Sequence, residues 1–115
     1  MDEVEETTKG AFLKEKLQNL ARWVIAEVGK ENLPVDLIAG IDGRSELEAA
    51  YMASTLESNS VLVAHRDWRG LAQLFSNRTG KQEELQQVVT VIRQRPEMHD
   101  KFWRYMELFV EVARQ

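Results

Sequence analysis

Apolar residues along the chain recur at helical spacing, in blocks separated by short polar breaks. The clearest block runs from Ala11 to Val28. Leu13, Leu17, Leu20, Val24 and Val28 return every three or four residues, and Phe12, Ala21 and Ile25 widen the stripe. This is the pattern of an amphipathic helix facing a core. Gly29 is a fitting C-terminal stop. Before this block, Met1 to Lys9 is charged and without periodicity. Residues 1–10 therefore read as a flexible N-terminal tail bounded by Gly10, and residues 11–115 as a single helical domain.

Leu33 to Ile41 reads as a short helix, with Pro34 suited to its first turn and Gly40 or Gly43 to its end. Ser45-Glu46-Leu47-Glu48 is a capping box, a serine followed three residues later by a glutamate. It opens a helix that runs to about Glu57, with Leu47, Ala50, Tyr51 and Ser54 on one face. Val61 to Ala64 is β-branched but too short to decide its own state. An isolated strand would leave its backbone groups unpaired, so a helix or an irregular buried turn is expected there. Asp67 can cap the next helix, on which Trp68, Leu71, Ala72 and Phe75 share a face. Asn77 to Gly80 breaks the pattern, and Thr79 to Gln82 is a second capping-box pattern. Leu85, Val88, Val89 and Ile92 form the following stripe. Pro96 interrupts and suits the first turn of a last helix, in which Phe102, Met106 and Phe109 line one face and Trp103 and Val110 a neighbouring one.

These blocks predict an all-α fold, a compact antiparallel bundle of five or six helices with short connections. The expected core is Leu13, Leu17, Leu20, Val24, Leu37, Leu47, Tyr51, Trp68, Leu71, Phe75, Leu85, Val89, Ile92, Phe102, Met106 and Phe109.

Composition narrows the function more than the fold. A chain of 115 residues with 43% apolar content is sized for one domain with a real core. Cysteine is absent, which removes disulfides, thiolate nucleophiles and zinc–sulfur sites and fits a reducing compartment. The acidic start, Met1 to Glu6, is not a secretory signal, and no apolar run approaches the roughly 20 residues of a membrane span. A cytoplasmic protein with no membrane contact is expected. Net charge is −4, which argues against non-specific nucleic-acid binding. That charge is uneven. Residues 1–65 hold six basic and twelve acidic side chains, whereas residues 66–104 hold eight and five. A protein partner can use such polarity.

Candidate chemistry is sparse. The two histidines, His65 and His99, lie in different segments, and Glu97 and His99 are too close in sequence to share a helical face. No metal site and no cofactor are expected. A serine or threonine nucleophile would need a neighbouring base; Asp67 beside His65 is explained more simply as a helix cap. The chain is expected not to be an enzyme. Gly40-Ile41-Asp42-Gly43 has the form of a loop that clamps nucleic-acid backbones, but Asp36, Asp42, Glu46 and Glu48 surround it where basic charge would be needed. Residues 66–95 have a helix-turn-helix outline with basic flanks at Arg66, Arg69, Arg78, Lys81, Arg93 and Arg95. Glu83 and Glu84, however, occupy the turn that would meet the bases. A nucleic-acid-binding regulator is the alternative reading of that segment.

Two segments resemble known families. Asp67-Trp68-Arg69-Gly70-Leu71-Ala72 is similar to the Trp-x-x-Leu-Ala segment in the second helix of death domains. Val91-Ile92-Arg93-Gln94-Arg95-Pro96, followed by Phe102-Trp103, resembles the end of some caspase-recruitment domains. Both belong to the six-helix death-fold superfamily, whose members assemble signalling complexes through like-with-like contacts. The resemblance implies a homotypic adaptor.

The leading expectation is a non-enzymatic protein–protein interaction module in intracellular signalling, regulation or defence, with another copy of itself among its candidate partners. The residues expected to meet the partner are Arg66, Arg69, Arg93, Arg95, Trp103 and Arg104. The arginines would supply charge, and Trp103, lying off the main apolar line of its helix, an aromatic anchor.

Overall fold

The computed structural model of the chain describes residues 2–33, 35–76 and 83–115. The expectations placed on Pro34, on Arg78 and Lys81, and on the break and capping pattern within 77–82 lie outside these residues. Among the described residues there is no strand, and the fold is an all-α bundle. Its helices are α1 (Asp2–Val28), α2 (Val35–Asp42), α3 (Glu46–Ser58), α4 (Ser60–Ala64), α5 (Trp68–Ser76), α6 (Glu83–Arg93) and α7 (His99–Arg114). Single 3-10 turns at Lys30–Asn32 and Pro96–Met98 follow α1 and precede α7. The radius of gyration is 13.4 Å, the value expected for a compact chain of this length.

Two expectations about the elements change. The helix expected to start at Ala11 is continuous from Asp2, so α1 includes residues 2–10. Gly10 is a point of contact: a Cβ there would lie 3.0 Å from the Glu46 carbonyl oxygen. Its missing side chain lets α1 approach the start of α3. Among the described residues the helices number seven, where five or six are expected, because Val61 to Ala64 falls within a helix of its own.

The start of α3 follows its sequence closely. Ser45 Oγ accepts from the Glu48 amide at 3.1 Å, and Glu48 Oε1 accepts from the Ser45 amide at 3.3 Å. The buried face of α3 does not. Ala49, Met52, Ala53, Thr55 and Leu56 are buried, whereas Leu47 is 79% and Tyr51 56% exposed. Both stripes have helical spacing, so periodicity alone cannot choose between them. Packing can. Helix α3 makes its main contacts with both α1 and α7. Two small alanines on the inner face let the helices close up, where Leu47 and Tyr51 would hold them apart. Thr55, the one buried hydroxyl of α3, donates to the Tyr51 carbonyl at 3.0 Å.

Around this helix α1 contributes Leu13, Leu17, Leu20, Ala21, Val24 and Val28, and α7 contributes Phe102, Trp103, Met106, Phe109, Val110 and Val112, all buried. Helices α5 and α6 pair with each other, and α2 leans on α1 and α6. Of the expected core, Leu47 and Tyr51 lie outside and Trp68 is half-buried; the remainder is inside.

Substitutions separate the two faces of α3. Leu47→Ala is expected to change stability by no more than about 0.5 kcal/mol. Ala53→Leu, overpacking a site with no exposed surface, is expected to cost about 1–3 kcal/mol. Urea unfolding followed by circular dichroism reads both; equal losses would contradict the burial pattern of α3.

Candidate interaction surface

The connection from α4 to α5 begins with a Schellman turn. The Asp67 amide donates to the Leu62 carbonyl at 2.9 Å and the Arg66 amide to the Val63 carbonyl at 3.1 Å. The position between them must take a left-handed conformation, which favours glycine. Here it is Arg66, with φ +49°. The next residue, Asp67, caps α5 as its sequence indicates: its Oδ1 accepts from the Gly70 amide at 2.9 Å. Gly70 itself is tightly enclosed. A Cβ there would stand 2.6 Å from Asp67 Oδ2 and 2.7 Å from Leu62 Cδ2.

Trp68 opens α5 and leans onto the start of α7. Its ring lies 4.7 Å from the His99 ring, 5.3 Å from Phe102 and 4.8 Å from Trp103, centroid to centroid. His99 bonds the Arg93 carbonyl through Nε2 at 3.0 Å. A carbonyl only accepts, so Nε2 carries the hydrogen. The bond ties the end of α6 to the start of α7, across the turn that Pro96 initiates and buried Met98 anchors. Next to His99, the Asp100 carboxylate joins two arginines. Arg66 Nη2 donates to one oxygen at 3.1 Å and Arg104 Nε to the other at 2.9 Å.

The six residues expected to meet a partner therefore divide. Arg66 and Arg104 converge on Asp100. Arg69 is exposed on the first turn of α5, next to Trp68, and Arg93 is exposed at the end of α6. Arg95 is half-buried where the 3-10 turn begins. Trp103 is not on this surface at all. It is 1% exposed and packs edge-on to Phe102 and Trp68. Its position off the line of Phe102, Met106 and Phe109 reflects a helix buried over a wide arc, since Val110 and Val112 are buried too. The indole N–H of Trp103 has no hydrogen-bond partner among the described residues, an uncommon state for a buried donor. The aromatic at the surface is Trp68.

Reasoning from sequence missed Asp100, although Asp100 and Arg104 stand four apart on one helix, a spacing that brings opposite charges together. It could not have found the Arg66–Asp100 pair, which joins residues 34 positions apart. Arg44 was also missed. It is 4% exposed, between α2 and α3, and nothing in its local sequence marks it as buried.

A second aromatic contact lies between α1 and α7. Trp23 and Tyr105 are 5.9 Å apart, and Lys101 Nζ stands 5.1 Å from the Trp23 ring centroid. Burial at this seam raises the pKa of the Tyr105 hydroxyl above its ordinary value of 10.0 by disfavouring the phenolate.

Among the described residues no three His, Asp or Glu side chains gather to hold a metal ion, and no helix is long and apolar enough to cross a membrane. Comparison of the chain with protein-family models, with curated proteins and with solved structures gives no match.

Gly70→Ala is expected to leave stability in thermal or urea unfolding nearly unchanged, although alanine is the better helix former by about 1 kcal/mol. The added methyl crowds the ends of the Asp67 and Leu62 side chains, and loss of the Asp67 cap, worth about 1 kcal/mol, offsets that gain. A stabilised variant would show that the cap and Leu62 give way freely. Tyr105 is expected to ionise above 10 in the folded protein, seen in the difference between the ultraviolet pH titrations of the wild type and Tyr105→Phe. The folded state then holds a proton that the unfolded state releases near 10. This contribution to stability is complete below that pH and is lost as pH rises through the folded-state pKa.

Proposed function

We propose that the chain is a non-enzymatic interaction module that docks another protein through the surface formed by the α4–α5 turn, the first turn of α5 and the start of α7. The observation that carries this reading is the convergence of Arg66 and Arg104 on Asp100, the neighbour of His99, whose ring contacts half-buried Trp68. A rigid aromatic body beside planar guanidinium groups is the composition that interface anchors favour. The setting we propose is the cytoplasm, in signalling, regulation or defence. The absence of cysteine and the resemblance of residues 67–72 and 91–103 to death-fold domains support it.

A second copy of the chain is the partner to test first, because residues 1–65 carry the acidic excess that the basic surface requires. Steering of that kind weakens with salt. Light scattering is expected to show a molar mass that rises with protein concentration and falls with added salt. Arg69→Glu and Arg104→Glu, both at exposed positions, are expected to weaken association and leave the helical circular dichroism unchanged. A strict monomer at every concentration would remove self-association, and unchanged association in both variants would remove this surface.

A further inference from the structure

The Schellman turn sets the left-handed conformation of residue 66 but does not call for an arginine there. A left-handed C′ position favours glycine, and a larger residue there strains the backbone. What Arg66 gains is its pair with Asp100, but the two side chains are 43% and 61% exposed, and water and salt screen such a pair until it contributes little. Asp100 is also claimed by Arg104, itself 73% exposed. One carboxylate thus stands between two solvent-facing guanidinium groups, each of its oxygens taking one of them. The triad keeps a net charge of +1, with further guanidinium N–H donors on both arginines. Arg69, exposed one residue beyond Trp68, offsets the exposed Asp67 carboxylate at the cap of α5, so the neighbourhood keeps the sign of the triad.

Resting on the docking reading above, we infer that this surface takes an acidic protein segment, one of whose carboxylates replaces Asp100 between Arg66 and Arg104. Asp100 is a tethered stand-in for that carboxylate. It shows the geometry that the partner adopts, and it competes with the partner while the surface is unoccupied. The flanking Trp68–His99 contact supplies an apolar shelf beside the charges. A carboxylate is the matching group because the one already in place uses both of its oxygens, one to each arginine. The competition sets a threshold: a segment with a single acidic residue merely exchanges one carboxylate for another, whereas a run of them also engages Arg69 and the donors that Asp100 leaves unused.

The test uses a fluorophore-labelled peptide of ten glutamates and fluorescence anisotropy at low salt, with the full chain and its Asp100→Asn variant. Asparagine keeps the shape and removes the competing charge at an exposed position of the first turn of α7. Asp100→Asn is expected to bind the peptide about three- to tenfold more tightly than the wild type, the range for releasing two screened charge pairs. The double variant Arg66→Gln/Arg104→Gln is expected to lose most of the binding and, in either background, the effect of residue 100. Equal or weaker binding by Asp100→Asn, with the wild type still binding, overturns the stand-in role and leaves the docking surface standing. No binding by either protein overturns the acidic-partner reading itself. Tighter binding of a ten-nucleotide single-stranded RNA than of the peptide would reassign the surface to nucleic acid.

Discussion

Everything in this fold depends on how closely α3 can approach α1 and α7 at once. A helix held between two others must present two narrow faces, and Ala49 and Ala53 provide that room while Met52 and Leu56 fill the space beside them. Gly10 extends the same close approach to the start of α3. Interiors are packed as tightly as organic crystals, so the fit leaves little freedom to shift one helix without moving its neighbours. The long apolar stripes of α1 and α7 then have a defined place to go. Helices α5 and α6 form a second layer that reaches this centre through the aromatic contacts of Trp68 with Phe102 and Trp103.

The dependence of the surface on the core follows from that second layer. Trp68 has one side against buried Phe102 and Trp103 and another against His99 at the surface. The Schellman turn at Arg66 and the cap at Asp67 set the direction in which α5 leaves α4. They therefore fix where Trp68 and Arg69 stand relative to α7. Gly70 belongs to the same construction, because the ends of the Asp67 and Leu62 side chains lie where a Cβ would stand. The segment Asp67-Trp68-Arg69-Gly70-Leu71 thus combines cap, aromatic contact, surface charge, close approach and buried core in consecutive residues.

Much of this was legible in the sequence, and what was not has physical reasons. The helices at 11–28, 45–57 and 96–109 showed themselves through long stripes and local capping chemistry, both of which act over a few residues. The capping box at Ser45 and the cap at Asp67 are of this kind. Leu47 and Tyr51 were misplaced because α3 carries two stripes of the same period, and the choice between them is made by the neighbours of the helix. Trp103 was misplaced by the opposite error. An apolar residue off the main line looks exposed when a helix has one buried face, but α7 is buried across a wide arc. The charged surface was legible only as a list of arginines. Their organisation depends on Asp100, and the bond from Arg66 to Asp100 spans 34 positions of sequence, beyond any local rule.

The balance of interactions at Asp100 also bears on why a protein of net charge −4 would hold two exposed arginines, Arg66 and Arg104, together. An unmasked patch of several arginines attracts any polyanion in proportion to charge, with little regard for shape. Neutralising part of it in place reduces that indiscriminate attraction. The geometry that a matching carboxylate needs is kept, because the same bonds hold Arg66 and Arg104 in position. Specificity is a difference of affinities, and an intramolecular competitor that opposes every ligand by the same amount leaves that difference unchanged; what it sets is a threshold, which only ligands with additional contacts overcome. On this view the strain at Arg66 and the two claims on one carboxylate are parts of one device. It trades a little stability of the turn and a little raw affinity for a threshold that singly charged ligands do not pass.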